Sequence, residues 1–238
     1  MVEDARKFKP DLIKIEAQTT WQETVRWYFD TLALGEMRGG KYDLSFLRGK
    51  RILDQGAGNG AFGAWLEAQN VGAKVISLDY SAHRYERKGF PWESAPEHTI
   101  VTGDARDLSF IPDNSIDLVL AEASVPYFFV DWISSRYPNE EEDEGFALDW
   151  VRAGKAEDVP GALKAVFSEQ LRVMKPGAEA RMWPMYTAGG ETLTAFNRMV
   201  GTAFEEVSRS YNFDAGPVPY TEEFAGLGFR YALSIVKK

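Results

Sequence analysis

Helical spacing is clearest near the start of the chain, where Trp21, Val25, Tyr28, Phe29 and Leu32 fall on one face of a predicted helix. Thr20-Trp-Gln-Glu23 opens it in capping-box form, with a hydroxyl and a carboxylate each able to satisfy a terminal N–H. The spacing changes at Arg51-Ile-Leu53, a short apolar run that reads as a buried strand. It then turns through Gly56, Gly58 and Gly60 into Ala61 to Gln69, where helical spacing returns. Lys74-Val-Ile-Ser-Leu-Asp79, rich in β-branched residues, predicts a second strand. Further on, Gly161 to Met174 is helical and Lys175-Pro-Gly177 stops it, before a buried strand at Ala178 to Met185. Thr192 to Val207 reads as a helix, Thr221 to Leu227 as a short one, and Phe229 to Val236 as a last strand. Ser208 to Phe213 is the candidate for its neighbour. Strands alternating with helices predict an α/β protein.

The glycine turn is the first candidate for chemistry, because such a turn leaves backbone N–H groups at a helix start where a ligand can approach closely. Gly56-x-Gly58-x-x-Ala61 also satisfies the dinucleotide fingerprint, so spacing alone leaves a nucleotide-cofactor oxidoreductase open. Charge separates the readings. Asp54 lies two residues before the first glycine, and its carboxylate would repel a nearby pyrophosphate by several kcal/mol. An acid there suits a ligand that carries positive charge and no phosphate. Asp79, nineteen residues past Gly60, stands at a second strand tip, where acids accept from ribose hydroxyls in doubly wound folds.

With Thr102-Gly-Asp-Ala-Arg-Asp-Leu-Ser-Phe110, Pro112-Asp-Asn-Ser-Ile-Asp-Leu-Val-Leu120 and Leu171-Arg-Val-Met-Lys-Pro-Gly177 following in order, the chain resembles the class I S-adenosylmethionine-dependent methyltransferases. The resemblance runs roughly from Arg51 to Met185 and is nearest to the branch that includes ubiquinone and menaquinone biosynthesis methyltransferases. It implies a Rossmann-like, doubly wound, mostly parallel seven-stranded sheet with an antiparallel edge strand, in three α/β/α layers. The implied cofactor is S-adenosyl-L-methionine, leaving as S-adenosyl-L-homocysteine. By the same resemblance Asp54, Gly56 and Gly58 face the methionyl part, and Asp79, with Tyr80 beside it, faces the ribose. Asp104 accepts from the adenine amino group and the Ala105 N–H reaches a ring nitrogen, while Ala121 and Glu122 lie beside the sulfonium and the acceptor. A non-catalytic module that keeps the fold is the third reading, against which the intact acids count.

Composition narrows the partners. The 238 residues suit one domain, divided as an N-terminal helical cap (1–48), a cofactor-binding half (51–124), an insertion or lid (125–159) and the C-terminal half of the sheet (160–238). A net charge of −9 argues against nucleic acid, since nucleic-acid binders gain affinity by neutralising phosphates; the motif order points to a small-molecule acceptor, with a basic peptide drawn to the acidic run at 140–144 as the alternative. No run of 18 apolar residues and no leader-like start is seen, so a cytoplasmic location without a membrane span is expected. Zero cysteines remove thiolate nucleophiles and Cys-based metal sites, and no metal is expected. Composition says nothing of oligomeric state.

The insertion concentrates aromatics at Val125-Pro-Tyr-Phe-Phe-Val-Asp-Trp132, directly after Glu122, and carries the acidic run Glu140-Glu-Glu-Asp-Glu144. Long loops of this kind seat specificity, whereas the acidic run reads as a solvated tip. If the acceptor arrives protonated a general base is needed, and Glu122 and His83 are the candidates. His98, the second histidine, reads as a surface or capping residue, and Tyr127 and Asp131 as packing or surface residues. Trp21 and Tyr28 read as core, with a pocket-lining role as the alternative.

Overall fold

The computed structural model describes residues 20–79, 98–122, 124, 158–186, 191–219 and 229–238. The predicted capping box forms: Thr20 accepts from the Glu23 N–H, and Glu23 accepts from the Thr20 N–H at 2.8 Å. It starts helix α1, Trp21–Leu32, which buries Val25, Tyr28, Phe29 and Leu32 along one face. A small hairpin follows, β1 (Met37–Arg38) and β2 (Lys41–Tyr42). Next come β3 (Arg51–Gln55), α2 (Ala61–Ala68), β4 (Lys74–Asp79), β5 (Thr99–Thr102) and β6 (Ile116–Glu122). The chain closes with α3 (Asp158–Val173), β7 (Met174–Tyr186), α4 (Glu191–Val207), β8 (Phe213–Pro219) and β9 (Phe229–Lys237).

Seven strands form one sheet in the order β5-β4-β3-β6-β7-β9-β8. The pairs from β5 through to β7 are parallel, and β9 runs antiparallel to both β7 and β8. The order reverses between β3, which pairs with β4 on one side and β6 on the other, and ligands bind at such a switch point in open α/β sheets. Alternation along β3 assigns its two faces. Ile52 packs with Val25, Phe29 and Phe62 of α1 and α2, whereas Leu53 packs with Leu163, Phe167 and Leu171 of α3. The sheet is therefore covered on both faces, in the three-layer, Rossmann-like arrangement expected.

The partner of the last strand is not where the sequence reading put it. Ser208 to Tyr211 close the end of α4, with Ser208 N–H bonding to Phe204 O and Tyr211 N–H to Val207 O, and the strand begins only at Phe213. Its Gly216-Pro-Val-Pro219 stretch carries two prolines, and β8 is the sheet edge. The Lys238 N–H bonds to Asn212 O, so even-numbered residues point their polar backbone at β9 and odd-numbered ones point outward. Pro217 and Pro219 thus lack N–H groups only on the open side, where proline is tolerated and blocks further pairing. Arg181 on β7 ties α1 to the sheet, donating to the Leu32 and Ala33 carbonyls at 3.0 and 2.6 Å. Those carbonyls end the helix and have no partner within it. No helix among the described residues is long and apolar enough to cross a membrane.

Candidate functional site

At the carboxyl ends of β3, β4 and β6 three acids lie on the α1/α2 side of the sheet. They are Asp54, Asp79 and Glu122, at 0%, 8% and 7% exposure. None faces bulk solvent, and carboxylates are rarely enclosed unless something compensates their charge. Tyr28 of α1 donates its hydroxyl to Asp54 Oδ1 at 2.8 Å, while Asp54 Oδ2 has no hydrogen-bond partner among the described residues. Burial drives the Asp54 pKa up to about 7, against the Tyr28 hydrogen bond, which lowers it; the nearby charge of Asp79 adds to the rise. Tyr28 is held by stacking on Phe62 at 4.2 Å, so the aromatic stripe is core with a polar handle.

The glycine turn is fixed from three sides. Gly56 and Ala57 donate to Leu78 O at 2.8 and 3.1 Å, and Gly58 donates to Asp79 Oδ2 at 2.9 Å. Asp79 therefore spends one oxygen on the turn itself. Gly56 sits at φ +73°, and a Cβ there would stand 2.1 Å from the Ser124 Cβ, so only glycine fits. Ser124, just past the end of β6, buries its Oγ without a partner among the described residues. On the far side of the turn, His98 is corrected from surface to interior. Its Nε2 lies 2.9 Å from Ser77 Oγ and its Nδ1 3.4 Å from Glu67 Oε2, and a Cβ on Gly63 would meet the ring at 2.3 Å.

Asp104 follows β5 and accepts from the Arg106 N–H at 2.8 Å and from its Nε at 2.9 Å. Burial works to raise its pKa, but the Arg106 hydrogen bonds and charge outweigh that and hold the carboxylate below its ordinary range. Arg106, spaced two from Asp104, is the signal the sequence reading passed over. Ala105 packs at the margin of the α3-side core, and the Ala121 side chain joins that same core, so at the strand end Ala121 has only main chain to offer. His83, Tyr80, Tyr127, Asp131 and the insertion up to residue 157 lie outside the described residues. Among the described residues no cluster of three or more His, Cys, Asp or Glu could hold a metal ion.

Residues 53–135, from within β3 to beyond β6, match the family described as a methyltransferase domain. No curated protein matches the chain. Among solved structures, the PH0226 protein of Pyrococcus horikoshii aligns over 100% of both chains at 16% identity, with a TM-score of 0.51, a likeness of fold. A TehB-like SAM-dependent methyltransferase from Corynebacterium glutamicum covers 99% of this chain and 98% of its own at 16% identity and TM-score 0.47. A SAM-dependent methyltransferase from Archaeoglobus fulgidus covers 95% and 98% at 13% identity and TM-score 0.47.

Proposed function

We propose that the chain is an S-adenosylmethionine-dependent methyltransferase acting on a small-molecule acceptor. The observation that carries this is the enclosed Asp54 beside the glycine turn. Its Oδ2, without a partner among the described residues, and the neighbouring charge of Asp79 suit a cationic adenosyl ligand and oppose a pyrophosphate. The site residues fit that ligand on further grounds: the Gly56 cradle has no room for a side chain, and Ser124 Oγ lies beside it without a partner among the described residues. Asp54 and the Gly56–Gly58 backbone hold the methionyl end, Asp79 the ribose, and Asp104 with the Ala105 N–H the adenine. Tyr80 beside the ribose and Ala121 beside the sulfonium follow from the resemblance alone.

When bound, the cofactor supplies a methyl group on a sulfonium, an electrophile that needs no metal. The protein's work is then alignment and exclusion of water, which can lower such a barrier by roughly 7–11 kcal/mol. That Glu122 ends β6 on the same face as Asp54 supports it as the group that takes a proton from the acceptor, and His83 is the other candidate from the sequence. The net charge of −9 supports a small molecule over nucleic acid, and the aromatic insertion at 125–159 of this single domain is where acceptor specificity is assigned.

Thermal melting with S-adenosylhomocysteine, S-adenosylmethionine and NAD tests the reading. Either sulfur ligand at 100 times its Kd should stabilise the fold by about 2.7 kcal/mol, or about 5–11 °C for a domain of this size. A shift with NAD alone refutes it.

A further inference from the structure

Among the described residues Asp54 has a hydrogen-bond partner at one oxygen only, and that partner comes from outside the strand ends, from the N-terminal helix. Among the described residues only two titratable groups act on it, Tyr28 and Asp79; its register partner on β4, Ser77, lies beside His98 Nε2. Tyr28 comes from α1, with the Phe62 ring of α2 stacked behind it; Asp79 comes from β4; and apolar Leu120 is its register partner on β6, two residues before Glu122. Enclosure and the Asp79 charge both oppose a charged Asp54, and the Tyr28 hydroxyl is the group that favours it. Arg181 holds the end of the helix that carries Tyr28.

We propose that Tyr28 is a positioning residue for the cofactor: its hydroxyl keeps Asp54 a charged acceptor for the ligand's ammonium end, so that docking of α1 and filling of the site are coupled. This rests on reading the site as one for an adenosyl sulfonium ligand. Only the ionised carboxylate attracts the ammonium, so binding releases a proton from that fraction of molecules in which Asp54 holds one. Without the Tyr28 hydroxyl, the proton affinity of Asp54 should rise by about 10- to 100-fold, the usual effect of losing one hydrogen bond to a charged group.

The test is calorimetric titration with S-adenosylhomocysteine at pH 6, 7 and 8 for the wild type, Tyr28→Phe, Asp54→Asn and the double variant. Because Asp54 titrates at about 7, wild-type affinity should tighten about tenfold from pH 6 to pH 8. Tyr28→Phe, which keeps the ring on Phe62, should bind about 5- to 50-fold more weakly at pH 7, with the gap narrowing as pH rises. Asp54→Asn should bind weakly with no pH dependence, and Tyr28→Phe should add less than about twofold to it. The inference is overturned if Tyr28→Phe binds like the wild type, or loses the same factor at every pH, or costs as much in the Asp54→Asn background. Wild type that binds no S-adenosylhomocysteine overturns the site reading itself, and the inference with it.

Discussion

Replacing Asp54 by asparagine should stabilise the ligand-free protein at pH 8, and that effect should shrink as pH falls. The unfolded chain ionises this aspartate near its ordinary value of 3.8, whereas burial holds the folded value at about 7. Between those values the folded state keeps a proton that the unfolded state has lost, so the contribution to stability falls as pH rises and levels off above 7. The loss in this window is on the order of 4 kcal/mol, of which roughly 2 kcal/mol falls between pH 5.5 and pH 8. Asparagine removes this charge but leaves an amide NH2 in search of partners, costing about 1–3 kcal/mol at every pH. Because that cost is constant, the difference between the two pH values isolates the ionisation. Urea unfolding of wild type and Asp54→Asn at pH 5.5 and pH 8, both above the pI of about 4.9 where solubility is poorest, provides the assay. The variant should gain about 2 kcal/mol relative to wild type on going from the lower to the higher pH. An unchanged difference would mean that Asp54 ionises as an ordinary exposed carboxylate, and the argument for a strained acid in the site would fail.

Two further substitutions probe the supports of the site. Gly56→Ala must adopt φ +73° and place a Cβ against Ser124, so it should cost about 2–5 kcal/mol in urea unfolding; a loss under 1 kcal/mol would show that the turn has room. Arg181→Met removes both hydrogen bonds to the end of α1, and should cost about 2–4 kcal/mol and selectively lower hydrogen-exchange protection across Trp21–Leu32. Unchanged protection there would break the link between β7 and the helix that carries Tyr28.

What the sequence made legible is what is local. The capping box, the apolar stripe of α1, the strand opening at Arg51 and the glycine turn each declare themselves within a few residues, and all are present. Contacts made across distance were not readable. Tyr28 could be seen as part of an aromatic stripe, but its hydroxyl meets an acid 26 residues away, and Arg181 meets a helix end 148 residues before it. His98 looked like a loop residue because its partners, Ser77 and Glu67, belong to β4 and α2. The strand at Phe213–Pro219 was hidden by two prolines whose missing donors matter only inside a sheet, and it lies at the edge.

The central claim is that the acid-lined turn between β3 and α2 accepts an adenosyl ligand that bears positive charge and no phosphate. Calorimetric titration of the full chain with S-adenosylhomocysteine at pH 8 tests it most directly. One molecule should bind per chain, Asp79→Ala should weaken it at least about tenfold through lost ribose and turn contacts, and NAD should give no heat. Saturable binding of NAD with none of S-adenosylhomocysteine would contradict the account.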